Sequence, residues 1–301
     1  EPHDGPAGAE VDLLSEVYVG RAAVETTAET DMFVSKLVAY ETGGNANFNT
    51  ALFMAEYLGN YSGINAQGGN GIDYMTNAFT AFDRQWLDDR PVNGATWGAA
   101  AGLAALNSSP HLATHCGHAN TAYALRMTCS DINSLTNQYP FLMNSMGCYC
   151  GAFDADDCFA EDLVKANSHG AFAAIMNTRY GWFSPVQEWR FSGEFMARFF
   201  QQLLVEGRGH IGEALQRSKQ DLVGLVEPNS STDRVYRWCY YEITLFGDPH
   251  TALCQSLTIN TRSPLPDIVR GVSADLELRA SGGRTPYAWT LESGTLPPGL
   301  N

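Results

Sequence analysis

Two short strings in this chain carry residues suited to nucleophilic chemistry: His115-Cys116-Gly117-His118 and Gly147-Cys148-Tyr149-Cys150-Gly151. A thiol attacks a carbonyl only as thiolate, and a free cysteine is mostly protonated near neutral pH, so it needs an imidazole to take the proton. The second string supplies the thiol and His118 in the first is the candidate base. The same side chains raise a metal reading, because imidazole and thiolate suit zinc. The spacing, His-x-x-His on a tight loop and Cys-x-Cys, departs from the usual zinc arrangements and favours the thiol reading.

Each string follows an apolar run that reads as a buried strand, residues 110–114 and 139–143, and each run follows a helix candidate, 97–106 and 130–137. In an open, mostly parallel α/β sheet the loops after the carboxyl ends of the strands hold the reactive groups. Upstream, 17–21 reads as a short strand. A helix opens at Thr27-Ala28-Glu29 and carries Phe33, Leu37, Val38 and Tyr40 near helical spacing, and 50–55 is a strand ending at Glu56. Residues 60–71 read as a loop, whose Gly68-Gly69-Asn70-Gly71 lacks the Lys-Ser/Thr of a phosphate loop, and 74–87 as an amphipathic helix. A helix at 158–167, a strand at 171–177 and helices at 193–205 and 211–223 follow. This alternation predicts a doubly wound, mostly parallel sheet flanked by helices. From Ser256 the pattern changes to the alternation of Ala274-Asp275-Leu276-Glu277-Leu278-Arg279, behind a linker at 260–266.

The chain has 301 residues, 45% apolar, enough for one sizeable core and a small second domain. A net charge of −15 with only 18 scattered Lys and Arg argues against a nucleic-acid surface. No apolar run is long enough to span a bilayer, and the Pro and Gly near Glu1 do not resemble a signal peptide. Seven cysteines without regular spacing argue against a complete disulfide framework.

Several motifs, in order over roughly 10–255, resemble the gingipain-type cysteine peptidases. They are Leu14-Ser15-Glu16-Val17-Tyr18-Val19-Gly20-Arg21, Tyr40-Glu41, Gly117-His118, Gly147-Cys148-Tyr149, Gly151-Ala152-Phe153-Asp154, Cys158-Phe159-Ala160-Glu161 and Leu245-Phe246-Gly247-Asp248-Pro249. The tail, from Thr285-Pro286-Tyr287 to Leu296-Pro297-Pro298-Gly299, resembles the immunoglobulin-like modules of large bacterial surface proteins. The resemblance implies a caspase-like α/β domain over 1–258 that lacks its N-terminal part, then a linker and truncated immunoglobulin-like β-sandwich over 259–301.

By the same resemblance Cys148 is the nucleophile, His118 the acid/base, and Glu56 the acid that orients the imidazole. Backbone N–H groups of Cys148 and Ala119 form the oxyanion hole, each such donor being worth about 3–4 kcal/mol. Ala119 departs from the glycine usual in the family, and its β-carbon is expected to narrow the backbone or crowd substrate. Trp182 matches an aromatic wall of the S1 pocket, with a core tryptophan as the alternative. Asp73 reads as a selector of basic P1 residues or, more simply, as a helix acid. Cys150 reads as a packed thiol, and Cys158 and Glu161 as a helix start. No cofactor is required for the chemistry. Structural calcium is implied by the family, and the acidic loop Asp154-Ala155-Asp156-Asp157 offers oxygen ligands without a recognised calcium motif.

The reading is a secreted or cell-surface bacterial cysteine endopeptidase acting on proteins or peptides, with no nucleic-acid partner and no membrane span. The partner of the C-terminal module stays unassigned. Two alternatives stand beside it: a catalytically silent relative kept as a binding or adhesion module, and a zinc-dependent hydrolase.

Overall fold

The computed structural model describes residues 13–43, 45–91, 96–154, 157–226 and 231–253, with short stretches at 258–259, 278, 280–281 and 289–295. The chain divides into two units, Glu1–Leu253 and Cys254–Asn301.

The first unit opens with α1 (Thr27–Gly43). Thr26 and Glu29 exchange hydrogen bonds across the first turn, Glu29 N to Thr26 Oγ1 at 3.2 Å and Thr26 N to Glu29 Oε2 at 3.1 Å, a reciprocal cap for orphan amides. Phe33, Leu37 and Tyr40 are buried as their spacing predicts, whereas Val38 is 50% exposed. The Tyr40 ring stacks on Phe172, with centroids 3.7 Å apart, which seats the helix on the sheet.

Next come β1 (Thr50–Ala55), a hairpin of β2 (Tyr57–Tyr61) and β3 (Ile64–Gln67), α2 (Gly68–Asp73), a 3₁₀ turn (Thr76–Phe79) and β4 (Asp83–Asp88). Beyond them lie α3 (Ala99–Asn107), β5 (Leu112–Cys116), a small hairpin of β6 (Tyr123–Ala124) and β7 (Met127–Thr128), α4 (Cys129–Ile132) and β8 (Phe141–Ser145). The unit finishes with α5 (Phe159–Lys165), β9 (Ala171–Asn177), α6 (Ser192–Phe200) with a π-helical turn to Val205, α7 (Ile211–Gln220), α8 (Val223–Val226), α9 (Ser231–Glu242) and β10 (Ile243–Phe246).

Six strands form one sheet in the order β10-β9-β8-β5-β1-β4. All neighbours are parallel except β10, which runs antiparallel to β9. Strands β5, β8 and β9 are buried along their whole length and β1 nearly so, as expected where helices cover both faces. From β1 the chain steps outward to β4 and then returns to the other side of β1 for β5. The strand order therefore reverses between β1 and β5, and ligands in open α/β sheets bind at the carboxyl ends beside such a reversal.

Four local expectations are corrected. Residues 74–87 are not an amphipathic helix. They contain the 3₁₀ turn and β4, whose Asp83, Arg84 and Gln85 are exposed because β4 is an edge strand, where charge blunts unwanted pairing. Residues 60–71 hold most of the β2–β3 hairpin and the start of α2 rather than a plain loop. Of 130–137 only Cys129–Ile132 is helical, capped by the Thr128–Asp131 exchange. Of 17–21, Arg21 alone bridges, to Phe246. In the second unit Thr258–Ile259 pairs antiparallel with Ala280–Ser281; residues 278 and 289–295 are in no strand, and the rest of the expected β-sandwich and its linker lies outside the described residues.

Gly68 fixes how α2 leaves the sheet. Its N–H donates to the Glu56 carbonyl at 2.8 Å, and a Cβ there would lie 2.1 Å from the Cys116 carbonyl oxygen, at the ends of β1 and β5. Gly68→Ala is expected to destabilise the chain by about 1–3 kcal/mol in urea unfolding, an overpacking penalty. Gly224→Ala, where a Cβ meets nothing within 4 Å, is the comparison and should be neutral or stabilising.

Candidate active site

The carboxyl ends of β1, β5 and β8 bring Glu56, the 115–118 string and the 147–151 string to one edge of the sheet. His115 and Cys116 lie within β5 rather than in its loop. Register sets His115 beside Met54 on one side and Ser145 on the other.

His118 and Cys148 line the same narrow cleft, about 30 Å³, together with Leu58, Trp182, Phe183 and Glu188. The Nε2 of His118 lies 3.1 Å from the Leu58 carbonyl oxygen, an acceptor only, so this nitrogen carries the proton and Nδ1 is left with its lone pair. His118 and Cys148 make no hydrogen bond to each other; the Cys148 thiol points at the Gly181 carbonyl, 3.7 Å away. Burial pushes the Cys148 thiol up from its ordinary value and the Glu242 carboxylate adds to the rise. The resting side chain is therefore a thiol, and ionising it requires a base.

Glu56 does not reach the imidazole of His118. Its carboxylate, 4% exposed, accepts from His115 Nε2 at 2.9 Å and from the backbone N–H of His118 at 3.4 Å, with Arg126 Nε 3.8 Å away. Burial acts most strongly on this group and opposes ionisation. The His115 hydrogen bond, the charges of His115 and Arg126 and the His118 amide outweigh it and hold the carboxyl below its usual range. The other ring nitrogen of His115 lies 2.9 Å from Ser145 Oγ, and that oxygen accepts the Gly147 N–H at 3.1 Å. A buried chain thus runs from Glu56 through His115 and Ser145 into the turn that carries Cys148.

Among the described residues the backbone N–H groups of Ala119 and Cys148 have no acceptor. Ala119 has no left-handed backbone conformation, so no glycine is required there, and its methyl sits 2.4 Å from where a Cβ of residue 147 would be. Gly147 absorbs the extra carbon of Ala119.

Trp182 is 42% exposed and lines the cleft, which excludes the core reading. Asp73 ends α2 and pairs with Arg90, which also holds Asp88. The carboxylate in the cleft is instead Glu188, 7% exposed, whose Oε1 accepts from Gln67 N at 3.1 Å and Asn70 Nδ2 at 3.0 Å while the other oxygen has no hydrogen bond among the described residues. Sequence reading missed Glu188 and the Leu58 carbonyl, because neither lies in a string of chemically suggestive residues.

Among the described residues no group of three or more His, Cys, Asp or Glu side chains converges as a metal site. His115 is committed to Glu56 and Ser145, and Cys150 is buried with its thiol on the Gly147 carbonyl. The acidic loop does not fit calcium either. Asp154 is paired with Arg179 and Asp157 with Lys165 at 2.6 Å, while Ala155 and Asp156 lie outside the described residues. Glu161 accepts from the Cys158 amide at 2.8 Å, the helix start its spacing predicts.

The sequence model of Peptidase family C25 matches residues 3–254. The fold is similar to that of the Arg-specific cysteine proteinase gingipain R, with a TM-score of 0.66 and 17% identity over 87% of this chain and 63% of that one. It is also similar to a structure described as a protease (TM-score 0.64, 17% identity, 89% and 63% covered). A third likeness is to the complex of Porphyromonas gingivalis RgpB pro- and mature domains (TM-score 0.61, 18% identity, 87% and 65% covered). The chain spans under two thirds of the length of each of these structures, and at such identity the likeness is one of fold, caspase-like and mostly parallel. No curated protein matches the sequence.

Removing His115 strands a buried carboxylate. His115→Leu is expected to lower stability by about 3–5 kcal/mol near neutral pH. Because the folded Glu56 carboxyl is depressed, its contribution is present above the unfolded carboxyl range and is lost as pH falls through the folded value. The gap between His115→Leu and wild type in urea unfolding should therefore narrow on acidification, and a gap independent of pH would contradict the pairing.

Proposed function

The chain belongs to peptidase family C25, and on that premise we propose that it is a cysteine endopeptidase, secreted or held at the cell surface, that hydrolyses protein or peptide substrates. The observation that carries this reading is the meeting of Cys148 and His118 in one cleft, with the N–H groups of Ala119 and Cys148 without an acceptor among the described residues. Among the described residues no helix is long and apolar enough to cross a membrane.

In this mechanism His118 Nδ1 takes the Cys148 proton as the sulfur bonds to the scissile carbonyl carbon. The carbonyl π electrons move onto oxygen, and the oxyanion is met by the N–H groups of Ala119 and Cys148. Collapse breaks the C–N bond, and the imidazolium returns its proton to the leaving amine. Water, deprotonated by the same nitrogen, then splits the acyl-enzyme into acid and thiol. The Leu58 carbonyl holds the protonated Nε2 and so keeps Nδ1 available as base. Glu56 acts by seating the amide of His118 and, through His115 and Ser145, the turn before Cys148. It makes no hydrogen bond to the His118 ring.

Trp182 forms one wall of the substrate cleft and Glu188 lies in it with one oxygen unspent. A half-satisfied carboxylate against an indole suits a cationic P1 side chain, in keeping with the Arg specificity in the name of one structural relative.

Two tests follow. Alkylation by iodoacetamide near neutral pH, mapped by mass spectrometry, should select Cys148 over the half-buried Cys129, whose thiol burial pushes up to about 12. His118→Ala should slow labelling and cut peptide turnover by about 10²-fold or more. Slow, unselective labelling indifferent to His118 would instead favour a silent binding module. Among cleaved peptides, Glu188→Gln should reduce kcat/KM for Arg or Lys at P1 by about 10- to 100-fold, with little change for a neutral P1 residue.

A further inference from the structure

A second cavity, about 500 Å³, lies beside the nucleophile turn and is not used by the chemistry above. Arg179, Arg234, Arg237, Trp238, Tyr241 and Glu242 line it. In α9 the residues 234, 237, 238 and 241 stand three and four apart, which sets them on one helical face. That face is unusual for a surface helix because it exposes large aromatics, with Trp238 at 42% and Tyr241 at 57%.

The charges around it are unevenly spent. Arg179 holds Asp154 through both guanidinium ends, at 3.0 and 2.7 Å. Arg234 and Arg237 have no hydrogen-bond or ion-pair partner among the described residues. The floor is Glu242, 4% exposed, whose Oε2 accepts from Trp238 Nε1 at 3.1 Å while its buried Oε1 has no partner. Burial raises this carboxyl to about 8, which weakens its repulsion of an anion near neutral pH. In a chain with 33 acidic and 18 basic residues, this is a local surplus of positive charge around one unsatisfied buried polar atom.

Residues 149 and 179–181 connect the cavity to the candidate catalytic cleft. Tyr149, the residue after the nucleophile, donates its N–H to the Arg179 carbonyl at 2.7 Å and packs its ring edge-on against Tyr180 at 4.8 Å. Trp238 Nε1 also reaches the Tyr180 carbonyl, at 3.2 Å, and the next carbonyl, that of Gly181, faces the Cys148 thiol. An extended peptide advances about 3.3 Å per residue, and only residues 179–181 separate this cavity from Cys148, so a side chain a few residues from the scissile bond is long enough to reach it.

We propose that this cavity is a second specificity subsite, one that takes the carboxylate side chain of an aspartate or glutamate in the peptide substrate near the scissile bond. The subsite rests on the peptidase reading above. Arg234 and Arg237 supply the planar, multi-donor groups that match a carboxylate, and Trp238 and Tyr241 cover the methylene stem of the incoming side chain.

The test uses matched peptides with glutamate or glutamine at each position flanking one cleavable bond. Values of kcat/KM are read for wild type and Arg234→Gln/Arg237→Gln, and peptide affinity is read by calorimetry on Cys148→Ala, which needs no chemistry. At one position glutamate should be preferred about tenfold or more at low salt, and the preference should fade with added salt. The double variant should erase it while handling the glutamine peptide as wild type does, which also shows that the variant is folded. Absence of any preferred position, or a preference that survives the double variant, would overturn the subsite. Equal affinity for free glutarate and the acidic peptide would make it a small-anion pocket and would overturn it too. Loss of all cleavage with Cys148 unlabelled would sink the peptidase reading, and the affinities measured on Cys148→Ala would still decide the subsite.

Discussion

Glu56 is a carboxylate taken out of water at the seam between β1 and β5, and the geometry of the site depends on how that charge is satisfied. An unpaired buried ion costs several kcal/mol, so its partners are constrained in position. They come from separate elements: His115 from β5, Arg126 from the β6–β7 hairpin, the amide of His118 from the loop after β5. Holding one charge therefore ties together the end of one strand, the body of the next and the loop with the candidate base. Gly117 reflects the same constraint, since a Cβ there would fall 2.3 Å from His115 Nε2 and 2.5 Å from the Glu56 carboxyl carbon.

The candidate nucleophile is governed by the opposite tendency. Cys148 is half-buried near a carboxyl group and has no cation bonded to it, so its thiol resists ionisation until a base acts. In the proposed mechanism stabilisation is left to the moment of reaction, when the developing oxyanion meets amides that have no acceptor among the described residues. The two loops of the site differ in how they are held. The histidine loop is fixed by charge, and the cysteine turn is fixed by neutral hydrogen bonds through Ser145 and Asn177, whose amide reaches the carbonyls of Met146 and Gly147.

The elements that sequence reading located are those whose surroundings are uniform. β9 is buried at every position, six apolar residues closed by Asn177, and β1 is nearly so, which is why their limits coincide with expectation. α1 has a reciprocal cap and three buried residues at helical spacing. β4 escaped because an edge strand shows water-facing charges on a short segment, a pattern that a helix surface also produces. α9 and β10 escaped because their burial partners, among them Tyr236 against Phe191 and Phe195, come from distant segments.

The sequence by itself determined the fold class, the two strings with their thiol and imidazole, and Glu56 as the acid at the end of β1, since strand-length apolar runs and reactive side chains are local properties. Only the tertiary structure decided which groups share a bond. Glu56 serves His115 and the amide of His118, a backbone carbonyl at Leu58 holds the His118 ring, and Glu188 joins the cleft from a loop far along the chain. The reason is physical: a hydrogen bond depends on direction and on distances near 3 Å, which are set by strand register and loop closure and leave no signature in residue order.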